Sequence, residues 1–268
     1  MAGDVQALAG GGCHLFSGCG FPAPSLNSFL FPPLFSIGSF HFTKPMLLAL
    51  ICAGLVVWFF WAAFAKPKLV PRGAQNLGEL GVFFVRDQIL RPMMGKEGDG
   101  YLPFLVSLFF FIWVMNLMEI IPVAQFPAMS RIAFPVALML MVYITYTVLG
   151  IRRMGLRGYF SNMVPKGVPI GILLILAPVE ILQYTLVRPF TLAVRLFANM
   201  FAGHLLLAIF IASTWYLASF TIGLLFAAGS AAMVLFVFVL ELLIDLLQAF
   251  IFTTLTATYI SDSLESGH

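Results

Sequence analysis

Two apolar stretches in the second half of the chain, residues 168 to 213 and 219 to 260, carry side chains that a hydrocarbon solvent rejects. The first holds Glu180, Arg188, Arg195, Asn199 and His204; the second holds Glu241, Asp245 and Gln248. An ionisable group at membrane depth costs ~2.5–3.5 kcal/mol on insertion scales. A set this dense points to a use. Arginine stays protonated at any workable pH, so Arg195 cannot hand a proton on. Glutamate and histidine can, because their pKa values are tunable toward neutral. The chemistry on offer is proton transfer, with a permanent cation standing in its way.

Spacing sorts the set. At about 100° per residue, Arg188, Arg195 and Asn199 fall within roughly 20° of a common helical face. Glu241, Asp245 and Gln248 follow an i, i+4, i+7 pattern and form a second stripe. Folded as an antiparallel hairpin, the two stretches bring Arg195 opposite Gln248, Asn199 opposite Asp245 and His204 opposite Glu241. His204 lies about 180° around an ideal helix from Arg195, so this register asks for a bend near Gly203 or a curved partner.

Depth follows from direction. Entering from the inner face, the first stretch meets Glu180 and Arg188 before Arg195, and His204 after it. Glu241 joins His204 through the hairpin register. An inner acid and an outer acid–imidazole pair are thus separated by a guanidinium that blocks direct passage. Such a gapped path conducts only if a carrier bridges it. No mobile buried carboxylate of this chain suits that task, which implies a partner whose membrane carboxylate moves past Arg195.

Composition says what must position these groups. Of 268 residues, 61% are apolar and 9% charged, against about 25% charged in soluble domains. Lipid satisfies no free backbone group, so spans are helical or barrel-forming. Long unbroken apolar runs are unlike the ~10-residue alternating segments of a barrel. The chain therefore reads as an all-α integral membrane protein with about five embedded helical segments. The last two form a long, strongly tilted antiparallel hairpin, and an amphipathic surface helix is added.

The first span covers 46–65, and the surface helix covers 75–93, closed by Pro92. A hairpin uses 103–121 and 132–150, and the tilted pair uses 168–213 and 219–260. As single helices the last two would each exceed ~60 Å, about twice the hydrocarbon thickness. They must bend, at Pro178, Pro189 or Gly203, or tilt. The basic loops 66–100 and 151–166 belong on the cytoplasmic or matrix side, which puts the N-terminus and the 122–129 turn outside.

Residues 1–44, rich in Gly, Ser, Pro and Phe, contain one Asp, one Lys and no Arg. That is unlike an Arg-rich transit peptide or a secretory signal, and the segment reads as an N-terminal extension at the membrane surface. The net charge of +3 includes no basic run dense enough for nucleic acid. Cys13, Cys19 and Cys52 make neither a CxxC pair nor an even disulfide framework. Cys13, His14 and Cys19 lack a fourth ligand, so no metal and no cofactor is expected.

RPFTLAVRLFANMFAGHLLL at 188–207, followed by ELLIDLLQAFIFTTLTATYIS at 241–261, is similar to subunit a of the F-type ATP synthase in its mitochondrial and alphaproteobacterial style. FLVSLFFFIWVMNLMEIIP resembles that family's Asn-Leu-x-Gly-x-x-Pro segment. The resemblance covers roughly 75 to 262. It implies five spans, the last two lying steeply against a rotating ring of c subunits, with Arg195 facing the ring carboxylate. Gln248 would sit beside Arg195, with Asn199 one turn on. His204 and Glu241 would line the outer half-channel, Glu180 would be the carboxylate of the inner one, and Arg188 a basic position before Arg195. Peripheral-stalk and other membrane subunits of the synthase are implied partners. The role implied is proton translocation without catalysis, in the mitochondrial inner membrane or alternatively a bacterial plasma membrane. In the first case the N-terminus faces the intermembrane space and the C-terminus the matrix.

Two positions depart from the family pattern. Glu180 stands one residue further from Pro189, which implies a bulge between them. Glu119 replaces a usual glycine near the outer end of its span, and with Asn116 it is a candidate lining of the outer half-channel. The resemblance assigns no role to Asp245; it reads either as a counter-ion for an arginine or as path lining. Arg188 also reads as a snorkelling or helix-end charge, and Asn116 as bonding backbone near the hairpin turn. No P-loop is present, so ATP chemistry must reside on other subunits. A proton-coupled secondary transporter also uses midplane charges but should show paired repeats and interrupted helices. A haem-bearing redox subunit needs paired histidines on spans, where His204 stands alone.

Overall fold

The structure is a computed structural model describing residues 14–16, 20–21, 35–37, 40–120, 128–162, 169–219 and 222–264. Five helical segments are long and apolar enough to cross a membrane: Lys44–Phe64, Ala74–Met118, Ala133–Leu156, Gly171–Leu217 and Gly223–Leu264. The membrane body is helical, as composition requires. One addition precedes it: β1 (Phe35–Ile37) and β2 (Phe40–Phe42) pair antiparallel, with Ser36 opposite His41. Aromatic and β-branched residues favour strands, and this short run has them in an otherwise Gly- and Pro-rich segment. Helix α1 (Lys44–Phe64) follows, with Pro45 in its first turn, where a missing N–H costs nothing.

The next segment corrects an expectation. Pro92 does not close a helix there. Helix α2 (Ala74–Val85) passes into a π-turn, Arg86–Leu90, then α3 (Arg91–Met94), a 3-10 stretch Gly95–Tyr101 and α4 (Leu102–Ile120). Val85, Ile89 and Leu90 are fully buried, so one side of this segment belongs to the core. A second π-turn, Gln183–Val187, joins α6 (Ile170–Leu182) to α7 (Arg188–Leu217). Both π-turns are followed by Arg-Pro, at 91–92 and 188–189. In each, the arginine N–H bonds five residues back, Arg91 to Arg86 and Arg188 to Gln183. A proline ring collides with the carbonyl a turn earlier in a regular helix, and the wider π-turn relieves that collision. The bulge implied between Glu180 and Pro189 is this second turn.

Helix α5 (Ala133–Asn162) bends at Gly155, whose φ of 72° is open to glycine. The bend folds Tyr159 back over Gly150, where an added Cβ would meet its ring at 2.7 Å. Helix α8 (Gly223–Leu264) runs 42 residues, or ~63 Å. Neither Pro178 nor Gly203 breaks its helix: the first lies inside α6 and the second inside α7.

Helices α7 and α8 form the most extensive helix pair, and α4 and α5 pack across them. Ile89, Leu105, Ile112, Met115, Leu196 and Ile260 are fully buried where these elements converge. On α1, Val57, Trp58 and Trp61 stay exposed, the arrangement expected of a lipid-facing span. The extension docks on the far end of α7. Leu15 donates its N–H to the Tyr216 carbonyl at 2.9 Å, and the Phe21 ring meets Tyr216 edge-on at 5.5 Å. That carbonyl is among the last of the helix, which have no partner within it.

Candidate functional site

Three contacts fix the register of the α7–α8 hairpin. Ser230 donates its hydroxyl to the Phe210 carbonyl at 2.9 Å near the turn. Gly203 faces the Glu241 carboxyl, whose Cδ lies 3.1 Å from where a Cβ on residue 203 would stand. Arg188 Nη1 and Asp262 Oδ2 form an ion pair at 2.7 Å at the opposite end. The second contact places His204, next to Gly203, within electrostatic reach of Glu241. Helix α7 runs through Gly203 without a break, and the glycine supplies room for the carboxyl.

Glu241, Asp245 and Gln248 do lie on one stripe, and all three are buried. Further along α8 the buried Thr253 and Thr256 turn their hydroxyls onto Ala249 and Phe252 carbonyls of their own helix. From α4, the fully buried Asn116 donates Nδ2 to the backbone carbonyl of Asp245 at 3.4 Å. Asn116 thus bonds backbone, that of α8. Asn199 is half-buried one turn beyond Arg195. Glu180 is half-buried on α6. The side chain of Glu119, the 122–127 turn, Cys13 and Cys19 lie outside the described residues.

Arg195 is exposed. None of the ion pairs among the described residues includes it. Around it the exposed stripe of α7 carries Thr191, Ala198 and Ala202. Small residues on a helix face let another backbone come close. The hairpin therefore presents a permanent cation, flanked by small side chains, to whatever lies beside it.

A family model described as ATP synthase A chain matches residues 46–261. The chain belongs to that family. Its relatives named ATP synthase subunit a include one from Streptomyces lividans, 48% identical over 260 residues, covering 96% of this chain and 92% of the relative. One from Frankia alni is 43% identical and covers 92% of this chain and 88% of its own. One from Rhodospirillum rubrum is 38% identical over 89% of this chain and 97% of its own. These relatives are bacterial, which fits the bacterial plasma-membrane alternative and lends the mitochondrial expectation no support.

In this chain, sequence reasoning missed the end of the hairpin opposite the α7–α8 turn. Arg188 is no snorkelling charge: besides Asp262, its guanidinium lies 3.6 Å from the Tyr184 ring centre and 5.1 Å from that of Tyr259. A cavity there is lined by Tyr146, Tyr159, Tyr184, Arg188, Tyr259 and Asp262 among others. The signal was present, because the register pairing His204 with Glu241, run down the hairpin, reaches Asp262 within about a turn and a half of Arg188. Among the described residues, no group of three His, Cys, Asp or Glu side chains is placed to hold a metal.

Proposed function

We propose that this chain is the stator subunit that passes protons to and from a rotating ring of partner subunits in the membrane sector of a bacterial plasma-membrane ATP synthase. The observation that carries the reading is Arg195, a permanent cation exposed on an otherwise apolar hairpin and in none of the ion pairs among the described residues. Lipid is a costly neighbour for it. A ring of small helical subunits bearing membrane carboxylates is the fitting one, since each passing carboxylate supplies the missing charge.

On the outer side His204 and Glu241 deliver protons; on the inner side Glu180 exchanges them. Arg195 holds an arriving carboxylate in its charged form and stops protons from running straight through, with Gln248 and Asn199 shaping the crossing and Asp245 lining the outer route. The ~63 Å length of α8 suits a steep tilt across ~30 Å of hydrocarbon, along the flank of a ring. Basic loops on the inside put the extension and the α7–α8 turn outside. Peripheral-stalk subunits hold the chain against rotation. Unbroken α7 and α8 speak against a secondary transporter, which needs interrupted helices.

The test is Arg195→Gln in the intact complex reconstituted into vesicles. ATP-driven acidification should fall to background while the passive proton leak rises. Acidification at the unaltered rate sinks the reading.

A further inference from the structure

The π-turn between α6 and α7 leaves one backbone group without a helical partner. The Arg188 N–H bonds to the Gln183 carbonyl, so it is not available to Tyr184. The next donor along would be residue 189, which is proline and has no N–H. The Tyr184 carbonyl is therefore orphaned by the sequence itself. Tyr146 on α5 donates its hydroxyl to that carbonyl at 3.4 Å. Its ring is held edge-on against Tyr143 and Tyr259 at 5.4 and 5.8 Å, and only 3% of the residue is exposed.

The turn also decides where Glu180 points. On an unbroken helix Glu180 would stand ~80° around the axis from Arg188, but a π-turn absorbs one residue and reduces this to ~20°. The pattern of exposure agrees: along this helix Leu173, Ala177, Glu180, Tyr184 and Arg188 are half-covered, while residues 181–183 and 185–187 are exposed. The covered stripe passes through the π-turn without a break.

We propose that Tyr146, acting through the Tyr184 carbonyl, is a positioning residue that holds the π-turn and with it the bearing of Glu180 toward Arg188. Its consequence for proton transfer rests on the role of Glu180 proposed above; the geometry does not.

The experiment reads the bearing directly. In the full complex, with Cys13, Cys19 and Cys52 replaced by serine, Glu180→Cys is labelled by a water-soluble maleimide from the inner face. Tyr146→Phe keeps the ring but removes the donor, and should change the labelling rate by roughly fivefold or more, the loss of one hydrogen bond of about 1 kcal/mol. Pro189→Ala restores an N–H at residue 189 that can serve the orphaned carbonyl, so adding it to Tyr146→Phe should bring the rate back. Deleting Thr185 in the Pro189→Ala background removes both the extra residue and the proline that demands the wider turn, giving regular helix with the same phase, and should leave the rate within about twofold. Unchanged labelling in Tyr146→Phe, failure of the Pro189→Ala rescue, or a collapse of labelling on deleting Thr185 would each overturn the proposal. Glu180→Gln with undiminished acidification would instead remove Glu180 from the proton path and leave Tyr146's role standing.

Discussion

Gly203 shows how much one missing methyl group can decide. The Glu241 carboxyl occupies the space that a side chain at residue 203 would fill, with the nearest carboxyl oxygen closer still than the carbon at 3.1 Å. Gly203→Ala must push that carboxyl away from His204, at an overpacking cost of about 1–3 kcal/mol. We expect ATP-driven acidification to fall roughly tenfold or more if acid–base delivery runs through this pair. Glu241→Asp, shorter by one methylene, should recover part of the loss in the same background. Full-rate pumping by Gly203→Ala would show that the close approach does not seat Glu241. The sequence marked the position but misjudged its use. A glycine within a helical pattern can be a hinge or a place of close approach, and periodicity does not distinguish them. By contrast, the Glu241–Asp245–Gln248 stripe was legible because i, i+4, i+7 spacing is a property of one helix.

At the scale of elements, both Arg-Pro π-turns are tied to the same short part of α8. Ser261 donates to the Met93 carbonyl at 3.0 Å and Thr258 to the Met93 sulfur at 3.2 Å, just past the first turn. Asp262 grips Arg188 at the end of the second. Asp262→Asn should lower the complex's resistance to thermal dissociation by roughly 1 kcal/mol, since a pair this far open to solvent is well below a buried one in worth. Ser261→Ala should cost a similar ~1 kcal/mol yet act on the other turn. The double variant should therefore show near-additive losses in a melting experiment; strong coupling would mean that the two turns are one unit. The second π-turn was legible as an irregular spacing between Glu180 and Pro189. Its supports were not, because Tyr146 and Asp262 lie on other helices and only packing brings them together. The first π-turn escaped notice because Pro92 was given its usual meaning as a stop signal.

For the whole molecule, hydropathy alone was enough to find the five apolar segments, and the antiparallel register of polar residues foretold which two would pair. What it could not say is which face of the hairpin would stay uncovered; that depends on where α4 and α5 pack. With Arg195 on the uncovered face, the proposed proton path has a gap that this chain does not bridge alone. Vesicles holding only this polypeptide should conduct protons no faster than empty ones, as followed by a pH-sensitive dye after a potassium-diffusion potential. Fast, proton-selective leakage would refute the divided path.

The grip of residues 258–262 on both π-turns has a consequence in time. Chains are made and inserted from the N-terminus, so α3 and α7 are in place before the end of α8 exists. The turn of α8 that fastens the two earlier ones leaves the ribosome after both of them. A chain cut just short of that turn would keep every apolar span while leaving both π-turns unfastened, a defect that abundance measurements would miss and that a melting or functional assay would reveal.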